Sequence, residues 1–321
     1  MRVNVALTIR WALLALASIA VLAGCDRAES SSEQAETISI EHAQGTTKVP
    51  LHPKKVVVFA PAVLDTLDAL QIEVAGVPQT SSHLPEFLAK YRGGEYLNAG
   101  TLFEPDYEAL SSAKPDLIIA GGRAADAYDK LSAIAPTISL DVDPTQFMPS
   151  FTQRVEQLGD IFGKQDEAKK QLEEFNQQIA RTHEKAANAG TAMVLMVSGG
   201  KMSAYGPKSR FGFIFEQLGF KPAVEFPTSG TGRHGNVVTS EFLLSVNPEW
   251  LFVLDRDSAI GRSGTGGESA RQVLDNPLIH KTSAWQNDRV VYLDSSSLYI
   301  AGGLQTYKNL IADVNNALDK Q

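Results

Sequence analysis

Apolar positions along the chain follow two alternating periods, and together they predict an α/β protein. Short runs rich in β-branched residues predict strands at residues 56–60, 74–77, 117–120, 138–141, 193–197, 251–255 and 290–293. Helical patterns separate some of these runs, near residues 63–70 in the first half and 212–218 in the second. The alternation of strands and helices in both halves predicts two similar α/β lobes.

A stretch in the middle of the chain carries apolar residues at helical spacing, at Phe151, Val155, Leu158, Phe162, Ala168, Leu172, Phe175 and Ile179. We predict one helix that ends near Phe162 and a second, uninterrupted helix of about six turns over residues 164–187. A long helix between two lobes is a stiff connector, so we expect small opening motions and ligand binding in the cleft between the lobes.

The first residues predict a processed leader. Arg2 and Arg10 supply positive charge, and residues 11–22 form an apolar run too short to span a bilayer permanently. The following Leu22-Ala23-Gly24-Cys25 resembles a bacterial lipobox, which implies that residues 1–24 are a lipoprotein signal peptide and that Cys25 is lipidated. A buried hydrophobic helix with an incidental cysteine is the alternative.

The rest of the chain divides by composition. Asp26 resembles the inner-membrane retention signal of Gram-negative lipoproteins, and residues 25–36 form a Ser/Glu/Ala-rich flexible tether. We predict an N-terminal α/β lobe over residues 37–150, connector helices over 151–188 and a C-terminal α/β lobe over 189–321. The predicted fold class is therefore α/β, with two Rossmann-like lobes joined by a long helix. The lipobox and Asp26 predict that the protein is anchored at the periplasmic face of the inner membrane.

Composition and motifs exclude several functions. The formal net charge of −8 argues against nucleic acid as a partner, and the single cysteine leaves no disulfide framework or thiolate metal site. The chain has no Gly-x-Ser-x-Gly elbow and no His-Glu-x-x-His helix, so we predict no enzyme. A zinc or manganese importer would bring three histidines and a carboxylate to the cleft, whereas only His234 lies in a suitable segment.

Three arginines are the main candidates for ligand contact. Arg123 and Arg256 follow predicted strands, where open α/β sheets present their ligand crevice, and Arg210 begins a predicted helix after a Gly-Pro turn. Together they would make a cationic pocket in an acidic protein, and the guanidinium fork suits an anion with several oxygens. For each arginine alone, a surface ion pair is the alternative.

Several segments resemble the periplasmic binding proteins of iron-siderophore and cobalamin ABC importers, the class III type with a helical backbone. The general match lies at Val56-Val57-Val58-Phe59, Asp65-Thr66-Leu67-Asp68-Ala69-Leu70, Glu108-Ala109-Leu110, Lys114-Pro115-Asp116-Leu117-Ile118-Ile119, Ser240-Glu241-Phe242-Leu243 and Asn247-Pro248-Glu249. A closer resemblance to the catecholate branch, which takes enterobactin-type and petrobactin-type siderophores, lies at Gly121-Gly122-Arg123, Tyr205-Gly206-Pro207-Lys208-Ser209-Arg210-Phe211-Gly212, Arg233-His234-Gly235, Val253-Leu254-Asp255-Arg256 and Leu298-Tyr299-Ile300-Ala301-Gly302-Gly303.

The resemblance implies a monomeric lipoprotein that captures ferric catecholate siderophores and delivers them to an inner-membrane ABC permease dimer. Iron is then cargo, and no cofactor is expected. His234 and Tyr299 resemble residues that coordinate iron when the siderophore is tetradentate; purely structural roles are the alternative. Glu108 and Glu241 resemble docking knobs for the permease, although a carboxylate at a helix start is also favoured by the helix dipole. A cobalamin, hydroxamate-siderophore or heme binder of the same fold is the alternative function.

Overall fold

Two larger β-sheets, one from each half of the chain, form the framework of this computed structural model. The structure describes residues 36–79, 82–226, 235–262 and 268–320. The predicted signal peptide and Cys25 therefore lie outside the described residues. In the part that is described, no helix has the length and apolar character needed to cross a membrane.

An antiparallel hairpin that the hydrophobic pattern does not predict opens the folded part. Strand β1 (Thr37–His42) pairs with β2 (Gly45–Pro50) along their whole length. Ile40 and Val49 are buried in the main core, so the hairpin covers one end of the first lobe. Ile38 is partly buried against the same core, and most other positions of both strands are polar or exposed, which is why their pattern is weak in the sequence.

The first of the two larger sheets has five parallel strands, in the spatial order β5-β4-β3-β6-β7. They are β3 (Val56–Val58), β4 (Gly76–Val77), β5 (Leu97–Asn98), β6 (Leu117–Ala120) and β7 (Thr137–Ser139). Parallel strands are covered on both faces, so β3 and β6 are unbroken apolar runs and fully buried. The strand order reverses between β3 and β6, which is the place where open α/β sheets bind ligands.

Helices with clear local signals flank this sheet. They are α1 (Pro61–Ala69), α2 (Tyr107–Ala113) and α3 (Tyr128–Ser132), with 3₁₀ turns at Glu86–Arg92, Gly122–Ala127 and Pro144–Gln146. Proline stands in the first turn of α1, where the missing N–H costs no hydrogen bond. The Asp106 carboxylate caps α2 by accepting from the Ala109 N–H at 2.9 Å.

The predicted connector helices are present. Helix α4 (Phe147–Phe162) ends at Gly163, whose φ of 66° is the left-handed conformation of a helix C-terminus. Helix α5 (Gln165–Ala186) then runs for 22 residues, about 33 Å at helical rise. The two helices pack together through their apolar stripes, with Phe151 against Phe175 at 5.3 Å between ring centroids.

The second sheet is mixed, whereas the sequence predicted two similar α/β lobes. Its strands are β8 (Thr191–Ser198), β9 (Lys201–Tyr205), β10 (Lys221–Pro222), β11 (Asn236–Val238), β12 (Trp250–Asp255) and β13 (Val290–Tyr292). Strands β10, β12 and β13 run parallel to β8 or to each other, but β9 is antiparallel to β8 and β11 is antiparallel to β9. Gly199 and Gly200, both at positive φ, make the tight turn of the β8–β9 hairpin.

Short helices complete the second half. They are α6 (Phe213–Glu216), α7 (Ser240–Val246), α8 (Arg256–Ala259), α9 (Ala270–Leu274) and α10 (Ser283–Gln286), with a 3₁₀ turn at Ile279–Lys281. Helix α6 begins after Gly212, so Arg210 lies in the preceding turn and does not begin the helix as predicted. A Cβ at Gly212 would lie 1.8 Å from the Pro207 carbonyl oxygen, and this tight turn delays the start of the helix.

The last helix, α11 (Leu304–Leu318), crosses back to the first half of the chain and packs on α1 and α5. Asp65 of α1 is fully buried and accepts hydrogen bonds from the backbone N–H groups of Gly303 (3.0 Å), Gln305 (2.7 Å) and Thr306 (3.1 Å) and from the Thr306 hydroxyl (2.5 Å). A side chain from one end of the sequence thus caps a helix at the other end.

Candidate functional site

A short π-helix, Ser297–Ala301, carries Tyr299 just before the capped start of α11. It ends at Gly302, which adopts a left-handed φ of 82°, and the Gly302 N–H donates to the Thr306 hydroxyl at 3.3 Å. Single π turns occur often at functional sites because they turn a side chain out of the regular helical array. Tyr299 is half-buried, and Asp65 fixes the helix that follows it.

The three arginines predicted from the sequence converge on the Tyr299 ring. Their guanidinium carbons lie 5.9 Å (Arg123), 4.6 Å (Arg210) and 5.4 Å (Arg256) from its centroid. The Arg256 Nε–H also donates to the Tyr299 hydroxyl at 2.7 Å, and the Arg210 Nη2 donates to the Tyr299 backbone carbonyl at 3.2 Å. The aromatic face and oxygens of one tyrosine thus hold three cations together.

The arginines change the acidity of this phenol. Burial alone would raise the pKa of Tyr299, but the hydrogen bond from Arg256 and the positive charges of Arg256, Arg210 and Arg123 lower it below its ordinary value. A phenol with a lowered pKa releases its proton to solvent more readily, and the resulting phenolate oxygen binds a hard Lewis acid. The three arginines are therefore suited to bind the anionic part of a ligand, and the Tyr299 oxygen is suited to bind a ferric ion.

Arg123 reaches the site from a loop that glycine and aspartate shape. Strand β6 ends at Ala120, and Gly121 and Gly122 follow with positive φ values of 116° and 57°. The Asp141 carboxylate accepts the Gly122 N–H at 2.7 Å and the Ser139 hydroxyl at 3.0 Å. Asp141 therefore positions the Arg123 loop. Its place after strand β7 put it at the edge of the sheet, but no sequence pattern identified Gly122 as its partner.

Arg256 is the first residue of α8, directly after strand β12, and polar side chains hold it in place. The Asp255 carboxylate caps α8 by accepting the Ser258 N–H at 2.9 Å and also accepts the Ala270 N–H at 2.8 Å. Arg256 Nη1 donates to the Ser198 hydroxyl at 3.2 Å. Arg256 forms an ion pair with Asp257, at 3.9 Å between Nη1 and Oδ1. The other carboxylate oxygen of Asp257 accepts the Gly199 N–H at 2.5 Å. Arg256 thus points to Tyr299 and is only loosely paired with an acid.

The other predicted site residues lie elsewhere. Glu108 and Glu241 are exposed in the first turns of α2 and α7, one associated with each sheet. Hydrogen bonds from its own backbone N–H and from the Thr239 side chain lower the pKa of Glu241, as expected for a carboxylate at a helix start. His234 lies outside the described residues, so its distance from Tyr299 is not defined.

Three of the other histidines that the structure describes have local partners for their side chains. His42 hydrogen-bonds the Thr47 hydroxyl at 2.9 Å, and His183 contacts the Gln217 carbonyl at 3.0 Å. His280 stacks on Trp285 with 4.3 Å between ring centroids. Within the described ranges, no group of three or more His, Cys, Asp or Glu side chains is arranged to hold a metal ion.

The comparisons with known proteins agree on one family. A family model described as periplasmic binding protein matches residues 56–297. The petrobactin-binding protein YclQ of Bacillus subtilis is 39% identical over 319 residues, which cover 96% of this chain and 98% of YclQ. The ferric-anguibactin-binding protein FatB of Vibrio anguillarum is 31% identical over 92% of this chain and 93% of its own length.

Solved structures give the same result. The crystal structure of YclQ superimposes with a TM-score of 0.83 over 89% of this chain and 100% of its own chain. The periplasmic catecholate-siderophore binding protein VctP of Vibrio cholerae is 34% identical, with a TM-score of 0.80 over 88% of this chain and 100% of its own. The predicted fold class, two α/β lobes with a helical connector, is confirmed.

Proposed function

The chain belongs to the periplasmic binding protein family, and we propose that it captures ferric catecholate-type siderophores in the cleft between its two sheets for an ABC importer. The family consists of solute-binding components of importers, so the protein is not an enzyme. YclQ is named for binding petrobactin, FatB for binding ferric anguibactin and VctP for binding catecholate siderophores. The solved structures of YclQ and VctP also share the fold of this chain over their whole length.

The convergence of Arg123, Arg210 and Arg256 on Tyr299 carries this proposal. The whole chain has a net charge of −8, so three guanidinium groups around one phenol are a local exception. A ferric catecholate is a multiply negative anion with several oxygens and aromatic rings. Guanidinium groups can donate two hydrogen bonds to such oxygens and stack on such rings. A cobalamin, heme or hydroxamate cleft would need fewer cations.

A fluorescence titration panel tests the proposed cargo. The protein is titrated with a hexadentate ferric tris-catecholate, a tetradentate ferric bis-catecholate, a ferric hydroxamate, heme and cobalamin, and tryptophan quenching is followed. We expect tight binding of at least one ferric catecholate. Binding of the hydroxamate, heme and cobalamin, which carry less negative charge, should be at least about a hundredfold weaker, because each lost charge-assisted contact costs about 1.5–3 kcal/mol. Tighter binding of cobalamin, heme or the hydroxamate than of both catecholates would refute the proposal.

Tyr299 and His234 are proposed to complete the coordination of iron when the siderophore is tetradentate. Phenolate oxygen and imidazole nitrogen suit a ferric ion with two open positions. The lowered pKa of Tyr299 supports the phenolate half of this proposal. A hexadentate siderophore fills all positions and would use Tyr299 only as a hydrogen-bonding partner of Arg256.

Replacing Tyr299 with phenylalanine should therefore separate the two classes of siderophore. With a tetradentate ferric complex we expect loss of the phenolate-to-iron charge-transfer band and binding about tenfold or more weaker, an effect of the lost ligand. With a hexadentate complex the spectrum should not change. Tyr292→Phe, which removes the hydroxyl of another half-buried tyrosine on the second sheet, is the matched control. An unchanged tetradentate spectrum in Tyr299→Phe would exclude direct ligation.

Delivery is proposed to use Glu108 and Glu241 as contacts with a permease dimer, by a monomeric protein that Cys25 anchors to the periplasmic face of the inner membrane. The two carboxylates are exposed and belong to different halves of the fold, so they could set the register of docking. In proteoliposomes with the cognate permease, the double variant Glu108→Gln, Glu241→Gln should lower uptake about tenfold or more and leave siderophore affinity unchanged. Glu173→Gln, an exposed carboxylate of α5, is the control. Equal uptake by both variants would contradict the docking role.

A further inference from the structure

An exposed aromatic side chain lies at the edge of the arginine cluster. Phe103 is 67% exposed, and it and Val237 are the large hydrophobic side chains most open to solvent in the described part of the chain. Isolated exposed apolar residues are common and need no special role. Phe103 differs because of its neighbour: the Arg123 guanidinium carbon lies 6.0 Å from the Phe103 ring centroid and 5.9 Å from that of Tyr299.

The turn that carries Phe103 is held by its own hydrogen bonds. The Thr101 hydroxyl accepts the N–H groups of Phe103 (3.3 Å) and Glu104 (3.0 Å), and the Thr101 N–H donates to the Glu104 carbonyl at 2.9 Å. Gly100 closes the turn at a φ of 99°, where a Cβ would lie 2.4 Å from the Glu104 carbonyl oxygen. The exposed ring is therefore presented on a preorganised backbone, which reduces the entropy lost when it contacts a ligand.

Arg123 links this ring to the site. Its guanidinium group is within cation–π range of both aromatic rings. Phe103 follows strand β5 of the first sheet, whereas Tyr299 lies between strand β13 of the second sheet and α11, so Arg123 has an aromatic neighbour from each half of the chain. A flat aromatic ligand group whose oxygens accept hydrogen bonds from Arg123 would bring its own ring close to Phe103. Two aromatic rings in an offset-stacked or edge-to-face arrangement attract each other beyond the effect of the apolar area that they bury.

We infer that Phe103 is a ligand-contacting residue that packs against an aromatic chelating ring of the siderophore and selects aryl-bearing ferric chelates. This inference rests on the proposed function, because it assigns the contact to the cargo of the same cleft. The arginines recognise charge, which citrate-type chelates also carry, whereas an exposed phenyl ring distinguishes ligands by their aromatic groups. Phe103 thus adds a purely aromatic contact to the charge recognition and stacking that the arginine cluster offers.

The test compares Phe103→Ala, Phe103→Leu and Phe103→Tyr by fluorescence titration with a ferric tris-catecholate. We expect binding about five to ten times weaker for the alanine and leucine variants and within about twofold of the parent for the tyrosine variant, because tyrosine retains the ring and leucine retains only apolar area. Glu104→Gln, an exposed side chain of the same turn, should bind within about twofold of the parent.

Two results would overturn the inference: Phe103→Ala or Phe103→Leu that binds as tightly as the parent protein, or Phe103→Tyr that binds as weakly as Phe103→Ala. Thermal unfolding of each variant checks that the fold is intact, and the exposed position leads us to expect melting temperatures equal to that of the parent. Failure of the proposed function gives a different result, since the parent protein itself would then bind no ferric catecholate.

Discussion

Replacing Arg256 with alanine is expected to weaken binding of a ferric tris-catecholate by about 10- to 100-fold. The guanidinium group lies 5.4 Å from the Tyr299 ring centroid and donates to the Tyr299 hydroxyl, so its removal takes away a cation and the group that orients the phenol. A hydrogen bond to a charged partner contributes about 1.5–3 kcal/mol, which corresponds to this range of affinity. The affinity of Arg256→Lys should lie between those of the parent and Arg256→Ala, because lysine keeps the charge but loses the planar fork.

Arg271 offers a matched control for this prediction. It also stacks on an aromatic ring, 3.9 Å from the Tyr292 centroid, and belongs to helix α9 of the same half of the chain. Arg271→Ala removes the same formal charge but should change affinity by less than about twofold, because salt screens charges at a distance. Titrations at low and high salt measure both variants. If Arg271→Ala weakens binding as much as Arg256→Ala, the effect comes from net charge and the proposed site is wrong.

Replacing Asp65 with alanine is expected to destabilise the folded protein by about 3 kcal/mol or more. Its carboxylate accepts four hydrogen bonds, three of them from the backbone at the start of α11, and the site is fully buried. Each buried donor left without an acceptor costs about 1–3 kcal/mol. Gly303 adds to the sensitivity, because its position approaches the Ala62 carbonyl so closely that a Cβ there would lie 2.3 Å away.

Denaturant unfolding of the parent, Asp65→Ala and Asp313→Ala measures this cost. Asp313 is an exposed carboxylate of the same helix α11, and its removal should change the free energy of unfolding by less than about 0.5 kcal/mol. The Asp65→Ala variant should also bind ferric catecholates more weakly, since the helix that it caps directly follows Tyr299. Equal stability of the two variants would show that other contacts hold α11 to the first half.

The same carboxylate gives the stability a specific pH dependence. Burial raises the pKa of Asp65 from 3.8 to about 6, although the hydrogen bonds from Thr306, Gln305 and Gly303 oppose this rise. A carboxyl group that binds its proton more tightly in the folded state loses stabilising effect as the pH rises between these values, by about 3 kcal/mol in total. The free energy of unfolding of the parent, relative to that of Asp65→Asn, should therefore increase as the pH falls from 7 to 4. A decrease in this difference would contradict the raised pKa.

Local patterns along the chain account for most of the fold. Periodicity located strands β3, β6, β8, β12 and β13 to within a few residues, and it located both connector helices. It missed the hairpin of β1 and β2 and the antiparallel β9 and β11, because those strands alternate between exposed and buried positions only briefly. It also gave no sign of where α11 packs.

The site follows the same division. Placement of Arg123 and Arg256 after strands could be predicted, since the carboxyl ends of parallel strands meet at one edge of a sheet. The role of Asp141 in holding the Gly122 N–H, and that of Asp65 in capping α11, could not, because each pairs residues that are far apart in sequence. The phenylalanine at position 103 carries no pattern of its own.

Burial periodicity is a short-range property, so the amino-acid sequence by itself determined the α/β class, the connector and the strand ends that Arg123 and Arg256 follow. The tertiary structure alone decided that Arg123, Arg210 and Arg256 surround the ring of Tyr299, at 4.6–5.9 Å. Their convergence requires the last helix, α11, to pack back on α1. The hydrogen bonds to the buried Asp65 that hold α11 there join residues 238 to 241 positions apart. No local pattern encodes contacts of that range.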